Sequence, residues 1–350
     1  MSGQFGRPWW VGRYLRRLVE VFRKMQAILI ERFGNPSELR LKEVPKPDPG
    51  EGEVLIEVHA AAVNRSDVLN ARGSFPFTTL PRIPGRDFAG VVVEGPQELV
   101  GTEVWGTGGG ELGFIRDGSH SRYLPVSRNA VVPKSDTFSL EEAAVSGLAY
   151  VTAGSALVEL GDVSAEEVIL VTGAAGGVGS AAVMIARWKG ARVIGAIKNE
   201  SERARAERAG VEVIIDTSRE EVTDAVLTAT GGRGANLVLD AVGGPLFEPA
   251  LNSLGEKGRM VVITTIPDKQ QVSFNLFDFY RKELRLFGLM TSFLDAEGSA
   301  TVLRKLGPGF DEGALRAPAI AERYPPEQAG MAYARVEGGE AAGRVMLLMG

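Results

Sequence analysis

The residues best able to do chemistry in this 350-residue chain lie between Val168 and Ser180, where Val168-Ile-Leu-Val-Thr172 runs into Gly173-Ala174-Ala175-Gly176-Gly177-Val178-Gly179. A β-branched run, four glycines in seven residues and then alanine-rich sequence spell buried strand, tight loop and helix. Such a turn aims unpaired N–H groups and the positive end of a helix dipole at one point, which suits a pyrophosphate. The spacing Ala174-x-Gly176-x-x-Gly179 fits the dinucleotide fingerprint with alanine in first place, and a second strand ends about 20 residues further on, as that fingerprint requires. This second strand, 191–197, is followed by Lys198 and not by the carboxylate that would accept from the 2′-hydroxyl of NAD. Lys198 and Arg203 can neutralise a 2′-phosphate, so NADPH is the cofactor expected. Asn199-x-x-Glu202 reads as a capping box that turns a second helix N-terminus to the same phosphate. The competing reading is a solvated basic helix, since Arg205 and Arg208 follow.

The rest of the composition excludes more than it proposes. There is no cysteine, and His59 and His120 are the two histidines, so thiolate nucleophiles, disulfides and the common zinc sites are all out of reach and no metal site is expected. A net charge of −5 offers no field to gather nucleic acid. The first 24 residues differ from the body. Arg7, Arg13, Arg16, Arg17, Arg23 and Lys24 stand against Glu20 alone, interleaved with Trp9, Trp10, Tyr14, Leu15, Leu18 and Phe22. This is a basic amphipathic stretch, readable as an interfacial anchor or as sequence upstream of a start at Met25. The 19 uncharged residues 168–186 are long enough for a membrane span, but their glycine punctuation argues against one, and a cytoplasmic protein with no transmembrane segment is expected.

The elements that position the loop follow from periodicity. Strands at 191–197, 211–215, 235–241 and 258–265 alternate with helices at 201–209, 220–228 and 246–254, which predicts right-handed βαβ crossovers and a parallel sheet covered on both faces. Residues 25–138 carry short strands such as 53–58 and 88–93, broken by Pro45, Pro47, Pro49, Pro76, Pro81 and Pro84, and read as antiparallel, turn-rich β structure. After Ile266 come one strand-like run, 284–289, then Gly/Pro-rich, weakly helical sequence ending in Gly343-Arg344-Val345-Met346-Leu347-Leu348.

Five motifs in order then resemble one superfamily: Val63-Asn64-Arg65-Ser66-Asp67, Pro84-Gly85-Arg86-Asp87-Phe88-Ala89-Gly90, Gly147-Leu148-Ala149-Tyr150-Val151-Thr152-Ala153, the glycine loop, and Leu239-Asp240-Ala241-Val242-Gly243-Gly244. Over nearly all of 25–350 the chain is similar to the medium-chain dehydrogenase/reductases, in their zinc-free, zeta-crystallin-like quinone oxidoreductase branch. The resemblance implies an α/β fold in which a GroES-like β domain (25–138 and 276–350) surrounds a Rossmann domain (139–275), together with NADPH and a homodimer made through the Rossmann sheets. It places Thr152, Ala174, Gly176, Gly177, Val178, Gly179, Lys198, Arg203, Val242 and Thr264 at the cofactor. Zinc-dependent relatives carry a cysteine at the position of Asn64 and a histidine at that of Arg86, and a guanidinium cannot ligate zinc.

Without a metal the chemistry expected is hydride transfer to an acceptor activated by conjugation, a quinone or an α,β-unsaturated carbonyl, with the protein supplying position and electrostatics. Negative charge developing on the substrate oxygen needs a donor. Asn64 is the first candidate and Arg65 the second; the alternative for Asn64 is an amide that satisfies the turn after its strand. Tyr150 is a further candidate at the domain junction. Leu69, Phe75 and Phe77 would form an apolar lip for a small hydrophobic substrate, or equally pack beneath a loop. Quinone reductases of the branch often have a tyrosine where this chain has Leu69, and enoyl-thioester reductases a proton-donating tyrosine where it has Phe75. The missing phenols count against enoyl-thioester reduction, the first alternative, and keep open the second, an NADPH-binding protein without turnover.

Overall fold

The computed structural model describes residues 24–266, 269–339 and 341–350. Of the basic stretch 1–24, all but Lys24 lies outside the described residues.

Two large sheets organise the chain. The six-stranded one is wholly parallel, ordered β10-β9-β8-β11-β12-β13 from β8 (Val168–Thr172), β9 (Arg192–Ile197), β10 (Val213–Asp216), β11 (Ala235–Asp240), β12 (Leu254–Val262) and β13 (Arg285–Gly288). Counted from β8 this is the 3-2-1-4-5-6 order of a dinucleotide-binding sheet, and the order reverses between β8 and β11. Helices α4 (Gly177–Trp188), α5 (Arg203–Ala209), α6 (Val222–Ala229), α7 (Phe247–Asn252) and α8 (Leu276–Arg281) follow successive strands. All five residues of β8 are buried, as expected of a central strand covered on both faces.

The second sheet is ordered β14-β15-β3-β4-β5-β7, from β3 (Glu53–Val63), β4 (Asp87–Glu94), β5 (Glu103–Thr107), β7 (Val132–Pro133), β14 (Ile320–Tyr324) and β15 (Arg344–Leu348), with β6 (Tyr123–Ser127) also on β3. It is antiparallel except for β14 against β15. Thus the last strand, β15, pairs with β3 and both ends of the chain build one domain. A small antiparallel pair, β1 (Lys24–Ile28) and β2 (Leu41–Pro45), flanks it.

Helices α1 (Arg65–Ala71), α2 (Leu140–Ala144), α3 (Gly147–Gly154), α9 (Ala296–Asp311) and α10 (Ala329–Gly338) complete the fold. One hydrophobic core runs across the seam: Ala60, Ala89 and Trp105 of the antiparallel sheet pack with Ala149, Val183, Leu239 and Phe310. Edge-to-face ring contacts of Phe310 with Trp105 and Tyr150, at 5.3 and 4.8 Å, hold α9 and α3 in this seam.

Four expectations need correction. The parallel sheet runs to Gly288, past the boundary expected at 275, because β13 pairs in register with β12. The helix expected to reach Leu254 ends at Asn252, since Leu254 already pairs with Ala235. The region after Ile266 holds a 16-residue helix, α9, where weakly helical sequence was expected. Asp295 caps it by accepting from the Gly298 N–H at 2.6 Å, and Ala300, Leu303, Leu306 and Phe310 bury one face despite Pro308. The expected capping box is not reciprocal: the Asn199 amide oxygen accepts from Ser201 N–H, while Glu202 accepts from Lys198 N–H at 2.9 Å.

Candidate active site at the seam of the two sheets

The glycine loop leaves β8 beside the reversal point and feeds α4. Gly173 takes a positive φ of 64°, and a Cβ on Gly179 would lie 2.1 Å from the Gly173 carbonyl oxygen, so this helix can begin against its strand only with glycine at 179. The first-turn N–H groups of α4 have no partner within the helix. Opposite, Thr172 Oγ1 donates to Asp240 Oδ1 at 2.7 Å, and the same oxygen accepts from Val242 and Gly243 N–H. Asp240 Oδ2 is left buried without a partner. A cavity of about 630 Å³ adjoins Gly176 and Gly177 and is lined further by Arg205, Arg208, Leu315 and Arg344. These features fit the phosphates of a dinucleotide.

From the other sheet a polar cluster reaches the same place. Asn64 follows β3 and is the N-cap of α1; its amide Nδ2 donates to Asp87 Oδ2 at 3.0 Å and its Oδ1 accepts from Arg344 Nη2 at 2.5 Å. Asp67 closes the turn, accepting the Asn64 backbone N–H at 2.7 Å. Asp87 Oδ2 also lies 3.5 Å from Arg344 Nη2, and its Oδ1 accepts the Leu148 N–H at the start of α3. Arg344, the first residue of β15, sits with Nη1 3.3 Å from where a Gly177 Cβ would be. One arginine therefore spans from the amide of Asn64 to the glycine loop. Burial pushes the Asp67 carboxyl up to about 7, against the pull of the Asn64 N–H and the Arg86 and Arg344 guanidinium groups. Burial likewise lowers both arginines, while Asp67 and Asp87 hold them up.

The expected site residues are distributed unevenly. Asn64 is buried with both ends of its amide engaged, whereas Arg65 is exposed and donates to the Glu337 carbonyl. Tyr150 is fully buried, its hydroxyl donates to the Arg316 carbonyl at 2.6 Å, and burial raises its phenol well above the ordinary range. Thr152 is buried on α3. Ala174, Gly176, Gly177, Val178 and Gly179 form the loop and the first turn of α4. Val242 stands over Gly173, and the Thr264 backbone over Gly243. Lys198 is exposed after β9, and Arg203 pairs with Glu200 at 2.7 Å. Leu69 is half-buried, while Phe75 joins Phe77 and Phe114 in a three-ring cluster. Sequence reasoning missed Arg344, which lies 280 positions from Asn64 and carried no signal beyond a strand-forming neighbourhood.

The same residues do not fit zinc. Asn64, Ser66, Arg86 and Asp87 supply one carboxylate beside a fixed cation. His120 is buried with both ring nitrogens engaged, one by the Ala62 carbonyl and one by the Tyr333 hydroxyl, and His59 is exposed. Among the described residues no group of three or more His, Cys, Asp or Glu could hold a metal ion. Nor is any described helix long and apolar enough to cross a membrane.

Comparison with known proteins agrees with this architecture. Residues 50–136 match the alcohol dehydrogenase GroES-like domain family, and residues 177–305 the family described as zinc-binding dehydrogenase. The chain is 35% identical over 300 residues, 84% of its length and 88% of the relative's, to the zinc-type alcohol dehydrogenase-like protein C337.11 of Schizosaccharomyces pombe. It is 27% identical over 331 residues to the quinone oxidoreductase of Homo sapiens, covering 93% of this chain and 98% of that one. The crystal structure of a quinone oxidoreductase from Pseudomonas syringae pv. Tomato DC3000 matches with a TM-score of 0.80 at 26% identity, over 93% of this chain and 99% of that one. The protein belongs to the medium-chain dehydrogenase/reductase superfamily, in a quinone oxidoreductase-like branch. It is an oxidoreductase of a family that uses nicotinamide cofactors.

Proposed function

We propose that the protein is an NADPH-dependent, zinc-independent reductase that passes hydride to a quinone or an α,β-unsaturated carbonyl. The observation that carries this reading is Arg344, which joins Asn64 and Asp87 to the glycine loop and so sets the polar cluster beside the dinucleotide seat. Bound dihydronicotinamide supplies the hydride. The chain's own residues do the rest. The α4 N-terminus and Arg344 hold the pyrophosphate, Lys198 and Arg203 meet the 2′-phosphate, and Thr152, Val242 and Thr264 border the nicotinamide half. Leu69, Phe75 and Phe77 provide apolar surface for a planar hydrophobic substrate. Asn64 acts as the hub that fixes Asp87 and Arg344, and water supplies the proton.

The open edge strand β13, with Leu276, Phe277, Tyr280 and Phe293 exposed beside it, is the surface through which we propose that two copies pair. The test of function is NADPH oxidation at 340 nm with 1,4-benzoquinone, 9,10-phenanthrenequinone and a simple enone, in the presence of a chelator and beside NADH. Chelator-resistant turnover that favours NADPH, with the preference lost in Lys198→Ala plus Arg203→Ala, is expected. Chelator-sensitive turnover, or NADPH binding without turnover of any acceptor, would overturn the reading.

A further inference from the structure

We propose that Arg86 is the catalytic residue that holds the substrate's reacting oxygen; this rests on the reductase reading above. Arg86 is 4% exposed. Its Nε donates to the Gly109 carbonyl at 2.9 Å, which fixes the plane of the guanidinium. The opposite edge is nearly free, because Nη1 makes one long contact, 3.3 Å to Ser66 Oγ, and Nη2 is buried without any partner. A guanidinium edge of two N–H donors is a planar fork made for an oxygen with two lone pairs. Burying a donor unpaired is costly, so such a group in a native fold calls for a partner that arrives later.

The neighbourhood repeats the pattern. Among the described residues, the six buried side-chain atoms without a partner include Arg86 Nη2, Thr107 Oγ1, Ser292 Oγ and Arg344 Nε. Thr107 is the strand partner of Asp87, and the Ser292 carbonyl packs on Gly110, next to the carbonyl that Arg86 grips. The Asn64 amide, by contrast, is engaged at both ends. The Arg86 guanidinium lies 5.4 Å over the Phe114 ring, and Phe114 contacts Phe75 and the exposed Phe77. Phe77, Phe75 and Phe114 thus form a run of rings from the exposed Phe77 to the Arg86 guanidinium.

The reaction balances as follows. Dihydronicotinamide, when bound, would supply the hydride that bonds to the β-carbon of the enone and would be left as oxidised nicotinamide. The C=C pair moves to the Cα–C bond as the carbonyl pair moves onto oxygen, and the enolate oxygen accepts from Nη1 and Nη2. A solvent proton then bonds to the α-carbon and the carbonyl re-forms.

The test compares Arg86→Lys, which keeps the charge but loses the fork, with Arg86→Gln, using an enone and a series of quinones of rising reduction potential. Loss of one oxyanion donor is expected to lower kcat for the enone by about 100-fold. High-potential quinones, whose products carry negative charge easily, should lose far less, and the NADPH-induced rise in melting temperature should persist. An equal loss on every acceptor, or no loss, in variants that still bind NADPH would overturn this proposal alone. A wild-type protein inactive on every acceptor would instead overturn the reductase reading beneath it.

Discussion

Replacing Asp67 by Asn should make the protein more stable as the pH rises. Asp67 is 2% exposed, and its carboxyl is raised from 3.8 to about 7 because burial outweighs the Asn64 N–H and the two arginines. A raised carboxyl is protonated in the folded chain but ionised in the unfolded one across this interval. Its contribution is fully present below the unfolded value and is lost as pH climbs through the folded value. Asparagine keeps an oxygen for the Asn64 N–H and does not titrate. The stability of Asp67→Asn relative to wild type should therefore grow by about 1.4 kcal/mol per pH unit between about pH 4 and 7, about 4 kcal/mol in all, and be flat on either side. His120, pushed down to about 4 by burial, has the opposite slope between 4 and 6.5, but it is present in both proteins and cancels in the difference. The assay is urea unfolding of both at about pH 5, 6, 7 and 8 and constant ionic strength, read as midpoint shifts at equal slope. A difference independent of pH, or a variant less stable than wild type above pH 7, would refute the reasoning, because Asp67 would then be an ionised partner of Arg86 and Arg344.

Other perturbations test separate parts of the site. Gly179→Ala places a methyl carbon 2.1 Å from the Gly173 carbonyl oxygen, so the loop must spread and NADPH affinity, followed by nicotinamide fluorescence, should fall at least about tenfold. Tyr150→Phe removes the bond to the Arg316 carbonyl and should cost about 1 kcal/mol in urea unfolding while leaving kcat within about twofold; a collapse of kcat with unchanged stability would return the phenol to the chemistry. Leu276→Asp combined with Phe277→Asp charges the exposed strip beside β13, and sedimentation should move from dimer to monomer with NADPH binding retained.

What the sequence determined by itself is local. The glycine spacing, the β-branched run before it and the alternating periods that follow are properties of neighbouring residues, and they define the parallel sheet, the dinucleotide loop and the split between two kinds of β structure. The donor types also lay in the sequence, since a chain with no cysteine and Arg86 in its second motif cannot assemble the usual zinc ligands. Tertiary structure alone decided which of these groups meet. Strand β13 reads as a weak apolar run until β12 offers it a partner, and α9 hides its helical face behind a Gly-Pro-Gly end. Arg344 reaches Asn64 only because β15 returns to pair with β3. That closure brings Arg344 to the Asn64 amide, while other contacts between distant segments bury the Tyr150 hydroxyl against the Arg316 carbonyl and leave Arg86 Nη2 unpaired. Hydrogen-bond saturation depends on every group within about 3 Å, and those groups come from segments far apart along the chain.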